Sequence, residues 1–412
     1  MKTITHSPAS RRHFLKTSLA SSAVISLSGA VPRFLLGASQ PVSDASDEKI
    51  MVVVQLSGGN DGLNTIVPYG DDEYYRNRFT LAIGKQSVLK IDDHVGFHPA
   101  LSGMDELIQN GKLSVVQGVG YPNPNRSHFE SMDLWHTAHQ VDEASPVGWL
   151  GRTVDSKMSG SNLPAVHFGR GLQPLALKTE QKPVPSIRSI DNFKLNVLRD
   201  RKIKDQLSDL VRTPRKTDNT LLSYVHESAN VALETSHRLE GVSNDRQNEF
   251  NYPGTELGRN LGVIAQLIGS GLATRIYYTT LDGFDTHSNQ AQSHQGLLND
   301  LGNSVRAFVN QMEAQGNSKR VVLFAFSEFG RRVRENASRG TDHGTAAPVF
   351  VCGSEMPKGL IGRHPSLKDL DQGDLKFAID YRSVYADLLE NWMGIESQPI
   401  IGGQFKPVGL FS

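Results

Sequence analysis

Five short polar segments of this chain contain residue types that bind metal ions or attack anionic esters. They are Asn60-Asp61, Ser127, the group Asp282, Asp285 and His287, Glu328, and Asp342-His343. Carboxylates and neutral imidazoles without thiolates are a ligand set for Zn²⁺, Mn²⁺ or a similar divalent ion. A serine at the start of a helix suits a nucleophile, because the helix dipole and the free N–H groups favour an anion there. Two such ions could clamp the attacking and leaving oxygens of a displacement at phosphorus or sulfur.

Each of these segments also has an ordinary structural explanation. Asn60-Asp61-Gly62 has the composition of a tight turn, and Ser127 that of a plain helix N-cap. Asp285-Thr286-His287 could be a capped turn, and Asp342-His343 could be part of a loop in which the aspartate and the histidine pair with each other. The recurrence of such segments directly after predicted strands favours the functional interpretation over these separate explanations.

The elements that position these segments follow from the apolar patterning. Strands are predicted at 50–56, 113–119, 273–281, 320–326 and 348–352, and helices at 100–110, 127–137, 256–269, 295–314 and 380–392. This alternation predicts an α/β fold with a mostly parallel sheet sandwiched by helices. Ligands of such sheets lie outside the carboxyl ends of the strands, so the polar segments should meet at one edge. His136 and His139 are expected on a partly exposed helix face.

Length and composition exclude several classes of protein. The chain has 412 residues, and single cores stop growing near about 250–300 residues, so we expect one large domain with an insertion, or two domains. The charged stretch at about 178–250 is the expected helical insertion. Lys and Arg together number 43, as do Asp and Glu, which gives no sign of nucleic-acid binding. The single cysteine, Cys352, excludes a disulfide framework and a thiolate-rich zinc site.

The N-terminus predicts export. Ser10-Arg11-Arg12-His13-Phe14-Leu15-Lys16 has the twin-arginine signature that the Tat translocase recognises. The apolar stretch at 19–27 is short and contains serines, so it cannot form a stable membrane anchor. Cleavage is expected after Ala30 or Ala38. The sequence thus predicts a signal peptide at 1–30, a linker at 31–47 and a periplasmic or secreted domain at 48–412, the alternative for the N-terminus being a basic disordered segment.

Several motifs together resemble a known family. The chain is similar, over about residues 48–395, to the bacterial Tat-exported family catalogued as domain of unknown function 1501, often labelled sulfatase-like. More widely it resembles the alkaline phosphatase superfamily, which includes sulfatases and phosphopentomutase. The matching segments are Leu56-Ser57-Gly58-Gly59-Asn60-Asp61-Gly62, Phe97-His98-Pro99-Ala100-Leu101, Arg126-Ser127-His128-Phe129, Gly148-Trp149-Leu150-Gly151-Arg152, Phe284-Asp285-Thr286-His287, Ser327-Glu328-Phe329-Gly330-Arg331 and Gly340-Thr341-Asp342-His343-Gly344.

The superfamily resemblance implies an alkaline phosphatase-like or sulfatase-like fold and two metal sites. The first site would use Asp282, His287 and His343, and the second would use Asp61, the Ser127 hydroxyl and Glu328. Superfamily members have an adjacent Asp-His where this chain has Glu328-Phe329, and phenylalanine cannot bind a metal. The second site is therefore weaker, completed by His98 or His128, or absent.

Two functions remain open at this point. The first is a periplasmic hydrolase of small phosphate or sulfate esters with one or two divalent ions (Zn, Mn, Mg or Ca). Ser127 would be its nucleophile, and Asn60 or His128 would stabilise the transferred group. Phosphate esters are favoured, because the segment around Ser127 lacks the Cys/Ser-x-Pro-x-Arg motif of sulfatases. The second is a non-catalytic exported protein that binds a metal or glycan on the same scaffold, which Phe329 favours.

Overall fold

The computed structural model describes residues 48–139, 145–158, 164–180, 184, 186–187, 249–356 and 359–411. The predicted signal peptide, the linker and most of the predicted insertion lie outside these residues. None of the helices in the described part has the length and apolar composition needed to cross a bilayer.

A nine-stranded sheet forms the centre of the fold, with the strand order β11-β5-β10-β9-β1-β8-β6-β7 and β14 beside β5. The strands of the described residues are β1 (Ile50–Ser57), β2 (Ile66–Val67), β3 (Leu89–Lys90), β4 (Gly96–Phe97), β5 (Leu113–Gly120), β6 (Ala165–Phe168), β7 (Ser186–Ile187), β8 (Ile276–Asp282), β9 (Val321–Phe326), β10 (Ala347–Cys352), β11 (Leu360–Ile361), β12 (Leu370–Asp371), β13 (Asp374–Leu375) and β14 (Ile379–Asp380). The short strands β2, β3 and β4 form a separate three-stranded sheet, and β12 pairs with β13.

Most neighbouring strands of the central sheet run in the same direction. β1 pairs in parallel with both β8 and β9, β6 pairs in parallel with β8 and β7, and β5 pairs in parallel with β11 and β14. The exception is β10, which lies antiparallel between β9 and β5. Because β10 reverses direction against both neighbours, β5 runs the same way as β1, β8 and β9. The predicted mixed α/β class with a mainly parallel sheet is confirmed.

Helices cover the central sheet because its strands are apolar on both faces. The helices are α1 (Gly62–Thr65), α2 (Asp72–Asn77), α3 (Ser102–Gln109), α4 (His128–Thr137), α5 (Trp149–Lys157), α6 (Glu256–Gly269), α7 (Gln290–Ala314), α8 (Tyr381–Asp387) and α9 (Gln398–Ile401), with 3₁₀ turns at Pro99–Leu101, Leu175–Leu177 and Ser318–Arg320 and a π-helical turn at Leu388–Trp392. Met51 and Val53 of β1 belong to one core cluster with residues of α4, α5 and α8. Val52 and Val54 point to the opposite face, as the alternation of side chains along a strand requires, and are also buried. Helix α6 packs on β8 and on α7.

Three predictions about the helices need correction. The helix expected at 295–314 begins earlier, at Gln290. The helix expected at 380–392 ends at Asp387 and continues as the π-helical turn. His136 is buried and not partly exposed, because α4 turns it toward the sheet, where its Nε2 lies 3.1 Å from Oε1 of Gln55.

Candidate metal centre

The loops that carry the predicted site residues meet at one edge of the central sheet. The carboxyl ends of β1, β5, β8 and β9 share that edge, and these strands lead to Gly58, His128, Asp285 and Glu328 respectively. Since β10 is antiparallel to its neighbours, its amino end lies at the same edge. His343, which precedes β10, therefore reaches the loops that follow the other strands.

Three histidines and one aspartate converge there, and we call His128, Asp285, His287 and His343 the histidine cluster. The distance from Oδ1 of Asp285 to Nε2 is 3.4 Å for His128, 3.0 Å for His287 and 3.1 Å for His343. The Nε2 atoms of His287 and His343 are 2.8 Å apart. Two tetrahedral ligands of zinc, each 2.0–2.1 Å from the ion, are about 3.3 Å apart. Distances of this size are compatible with metal ligands, and the ligand atoms of His128, Asp285 and His343 all lie within 4.8 Å of one another, so that these three residues could hold an ion together.

Each imidazole ring of the cluster is held at its other nitrogen by an oxygen atom. The contacts are His128 Nδ1 with Glu328 Oε1 at 2.8 Å, His343 Nδ1 with the Arg126 carbonyl at 2.7 Å, and His287 Nδ1 with Asp342 Oδ1 at 3.3 Å. An oxygen acceptor at Nδ1 places the proton of a neutral imidazole on that atom. The Nε2 lone pairs are then left facing Asp285, and partners of this kind orient metal-bound histidines.

The close contacts among the Nε2 atoms and the carboxylate are unfavourable unless a cation or an added proton lies between the rings. Nε2 of His128 is buried and has no hydrogen-bond partner among the described residues. The lone pairs of His287 and His343 would face each other at 2.8 Å, with a carboxylate oxygen beside them. A divalent ion with affinity for imidazole nitrogen removes both problems, so the residues present fit such an ion.

The charges around the cluster favour an ionised carboxylate. Burial works to raise the pKa of Asp285, but the hydrogen bond and the positive charge of Arg331 outweigh it and hold the pKa at about 2. The hydrogen bond to Glu328 raises the pKa of His128, whereas burial lowers that of His343. The hydrogen bond from Asn336 is the main cause of the lowered pKa of Asp342.

A buried arginine forms hydrogen bonds with several loops of the site. Arg331 Nε donates to the carbonyl of Gly59 and Nη1 to that of Thr341, both at 2.7 Å. Nη2 donates to the carbonyl of Phe284 at 2.9 Å and to Asp285 Oδ1 at 2.7 Å. The loops after β1, β8 and β9 and the loop before β10 therefore share one guanidinium group, which also fixes the carboxylate of the cluster.

Glu328 and Phe329 enclose the cluster without serving as free ligands. Glu328 is buried, and its oxygens accept from Gly58 N at 2.9 Å, from His128 Nδ1 and from Ser327 Oγ at 3.0 Å. The ring of Phe329 lies 4.9 Å from that of His128 and 4.9 Å from that of His343. Glu328 thus orients a histidine, and Phe329 forms an apolar wall where the superfamily resemblance implied a second ion.

Asp61 is placed outside the histidine cluster. Arg78 pairs with both carboxylate oxygens of Asp61, at 2.5 and 2.9 Å, and both side chains are fully buried. Gln290 donates to the same carboxylate. Burial works to raise the pKa of Asp61, but the charge and hydrogen bonds of Arg78 lower it. The expected role of Asp61 as a metal ligand is therefore revised to that of a buried ion-pair partner.

Two further predicted ligands also lie outside the cluster. Asp282 is exposed, and its Oδ1 accepts from the N–H of Gly283. His98 is buried, and its Nδ1 accepts from Ala100 N at 3.0 Å at the start of a 3₁₀ turn. The structure thus brings Asp285, and not Asp282, beside His287 and His343, and it adds His128 to them.

The predicted catalytic residues Ser127 and Asn60 have different surroundings. Ser127 is the half-buried N-cap residue of α4, yet its side chain accepts none of the helix N–H groups. Asn60 is buried, and its Oδ1 accepts from Thr65 Oγ1 at 2.9 Å and contacts His294 Nε2 at 3.0 Å. Its Nδ2 has no partner among the described residues.

A comparison of the sequence with known families decides the family. The profile of the family described as Protein of unknown function (DUF1501) matches residues 48–401. The chain belongs to this family. No curated protein matches the sequence of this DUF1501 chain.

Several solved structures are similar to this DUF1501 chain in the course of the backbone. The C-terminal periplasmic domain of EcEptC from Escherichia coli, in complex with Zn, is 10% identical, with 84% of this chain and 83% of that chain covered and a TM-score of 0.37. The PsFucS1 sulfatase from Pseudoalteromonas sp. is 9% identical, with 97% and 76% covered and a TM-score of 0.37. The alkaline phosphatase from the Antarctic bacterium TAB5 is 9% identical, with 76% and 94% covered and a TM-score of 0.35.

Sequence reasoning missed four residues that shape the site of this DUF1501 chain. Arg331 belongs to the segment after β9 and lies close to Glu328 in the sequence. An arginine near acidic residues could have indicated a structural role. Asn336 donates to Asp342 Oδ1 at 3.1 Å and has no recognisable signal. Gln290 and His294, one turn apart on α7, reach Asp61 and Asn60. Polar residues four apart on an otherwise apolar helix face could have indicated this contact.

Proposed function

We propose that this chain is an exported hydrolase of small phosphate or sulfate esters that holds one divalent ion in the histidine cluster. The observation that supports it is the convergence of three imidazole Nε2 atoms on Oδ1 of Asp285, at 3.0–3.4 Å. A bound ion would supply Lewis-acid stabilisation of charge on an ester oxygen and would lower the pKa of a hydroxyl group nearby.

The protein's own residues would position the ester and its attacking group. Ser127 is adjacent in sequence to the ligand His128, and its hydroxyl is not used as a helix cap. It is the proposed nucleophile. The first turn of the ten-residue helix α4 leaves N–H groups that its N-cap side chain does not satisfy, and such groups favour an anion. Asn60, whose buried Nδ2 lacks a partner, would support the transferred group.

The surroundings favour a single ion of the zinc type. The imidazole nitrogens of His128 and His343, together with the carboxylate of Asp285, suit Zn²⁺ better than Mg²⁺ or Ca²⁺, which prefer oxygen ligands. The carboxylates of Glu328 and Asp61, which were candidates for a second ion, are paired with His128 and Arg78 respectively.

Phosphate esters are preferred over sulfate esters as substrates, because the sequence around Ser127 lacks the sulfatase motif. The twin-arginine segment would be recognised by the Tat translocase, which is the proposed partner in export. The protein would then be located in the periplasm or in the medium.

Metal content and turnover of the purified protein test this proposal. We expect about one zinc per chain by elemental analysis, and hydrolysis of 4-nitrophenyl phosphate in preference to 4-nitrophenyl sulfate. His343→Ala should lose both the ion and the activity, whereas the matched control His94→Ala, an exposed histidine, should keep both. A His343→Ala protein that retains a full complement of zinc would refute the proposed centre.

One observation favours a non-catalytic metal-binding protein as the second candidate. Among the described residues, none forms a hydrogen bond with Ser127 Oγ, so no general base is in place for it. Ser127→Ala separates the two functions. A hydrolase should lose turnover and retain zinc, whereas a binding protein should hold zinc in the wild type and show no turnover to lose.

A further inference from the structure

Two arginines near the histidine cluster share one buried carboxylate. Arg126 donates to Oδ2 of Asp374 from Nε at 2.8 Å and from Nη2. Nε of Arg332 lies 3.8 Å from Oδ1 of the same carboxylate. Asp374 has 1% of its side chain exposed, whereas Arg126 and Arg332 have 37% and 36% exposed. The buried carboxylate of Asp374 thus faces two positively charged groups that solvent can reach.

Both arginines flank a ligand of the proposed ion. The carbonyl of Arg126 accepts from Nδ1 of His343 at 2.7 Å. The backbone N–H of Arg332 donates to the carbonyl of Asp342, the residue before His343, at 3.0 Å. The charge of Arg332 also contributes to the lowered pKa of Asp342. The backbones of both arginines therefore contact the segment that carries His343.

A purely structural role does not account for Arg332. The neighbouring Arg331 is buried, and its guanidinium donates to backbone carbonyls and to Asp285. The guanidinium of Arg332 forms no hydrogen bond with any described residue, and Oδ1 of Asp374 likewise has no hydrogen-bond partner there. A half-exposed guanidinium with free donors is suited to bind an anionic oxygen group from solution.

We propose that Arg126 and Arg332 form a subsite for a second anionic group of the substrate, separate from the group that is cleaved. This inference rests on the proposed function and narrows its substrate class. The preferred esters bear a carboxylate or a further phosphate in addition to the group that is cleaved. Asp374 holds Arg126 in place and leaves the donors of Arg332 for the ligand.

Binding of two matched phosphonates, which are not hydrolysed, tests the subsite. Phenylphosphonate and 4-carboxyphenylphosphonate differ by one carboxylate, and their affinities for the protein after incubation with zinc can be measured by calorimetry. We expect the carboxylated compound to bind the wild type about tenfold more tightly, as one charge-assisted contact provides. In Arg332→Gln this advantage should fall to within about twofold, while phenylphosphonate binds as before. Arg334→Gln, a nearby exposed arginine, is the matched control and should retain the advantage.

The outcomes separate this inference from the proposed function. Equal binding of both phosphonates to the wild type, or an advantage that survives in Arg332→Gln, overturns the subsite and leaves the hydrolase proposal standing. Binding that depends on the carboxylate and on Arg332, in a protein that holds no zinc and hydrolyses nothing, keeps the subsite and overturns the hydrolase. Failure of both compounds to bind overturns the subsite.

Discussion

Nδ1 of His128 lies 2.8 Å from Oε1 of Glu328, although the two residues are 200 positions apart in the sequence. His128 begins the helix that follows β5, and Glu328 follows β9, with β10 between these strands in the sheet. A buried carboxylate at this position fixes the orientation of the ring and increases the basicity of Nε2. Glu328 is thus the residue that fixes the direction of His128, a proposed metal ligand.

Glu328→Gln should weaken zinc binding without abolishing it. The amide preserves the shape of the carboxylate but removes its charge, and loss of such a partner weakens metal affinity by about 10–100-fold. A competition titration with a chelating indicator measures the change. Glu313→Gln removes an exposed carboxylate that pairs with Lys112 and should bind zinc like the wild type. Equal affinities of all three proteins would show that Glu328 does not support the ion.

Gly58→Ala should disturb the centre through the backbone. Gly58 has a φ of +114°, and a Cβ atom there would lie 2.4 Å from the backbone nitrogen of Asp285. The loop that carries Asp285 must then move, at a cost of about 1–3 kcal/mol for the strained conformation. We expect a lower unfolding free energy and weaker zinc binding. Gly84→Ala, where a Cβ meets nothing within 4 Å, should change neither, and a Gly58→Ala protein with wild-type affinity would contradict the described packing.

Asp61→Asn should destabilise the fold and leave the zinc content at one ion per chain. Breaking a buried pair leaves the charge of Arg78 unpaired, which costs about 3–5 kcal/mol. Urea unfolding measures the loss, and elemental analysis of the folded fraction measures the ion. Removing both charges with Arg78→Met and Asp61→Leu should cost less than the single change. A lost ion at unchanged stability would instead restore Asp61 as a ligand.

Stability should fall as the pH decreases from about 6.5, because several buried histidines are neutral in the folded state. Burial lowers the pKa of His136 to about 3, whereas an unfolded histidine has a pKa near 6.5. Below 6.5 the unfolded state therefore binds the additional proton, and unfolding becomes easier until the folded pKa is reached. His136 alone should remove roughly 2 kcal/mol between pH 6.5 and 5.

Unfolding of a His136→Gln variant over the same pH range checks this contribution. Its unfolding free energy should depend less steeply on pH, since the titrating group is absent and the amide can still donate toward Gln55. The exposed His94→Gln serves as the control and should follow the wild-type curve. Parallel curves for all three proteins would mean that His136 does not titrate as described.

Five of the strands, β1, β5, β8, β9 and β10, could be predicted because their signals are local. The continuous apolar runs at Ile50–Ser57 and Val321–Phe326 are buried on both faces, which is the property that the run itself expresses. The direction of β10 could not be predicted, because an apolar strand of six residues is compatible with either orientation. That direction brings His343 to the edge shared with Asp285.

The sequence could not predict which carboxylates lie beside the histidines, for a similar reason. Asp61 and Asp285 both follow a strand and precede a turn, so local composition does not distinguish them. The difference is Arg78, which lies 17 positions after Asp61 in a segment without a motif and pairs with it in the interior. Asp285 also pairs with an arginine, Arg331, yet it contacts the histidines as well, and tertiary packing alone decides this difference.

The shared guanidinium of Arg331 bears on how an ion would be exchanged. Because it binds the carbonyls of Gly59, Phe284 and Thr341, the loops are assembled by the polypeptide and not by the ion. Because the loops are already ordered, little of the free energy of ion binding is used to order the chain. Ions are then selected by how well they fit the fixed positions of the ligand atoms. Loading and removal of zinc should then proceed without refolding, and amide hydrogen exchange in these loops should be nearly the same with and without the ion.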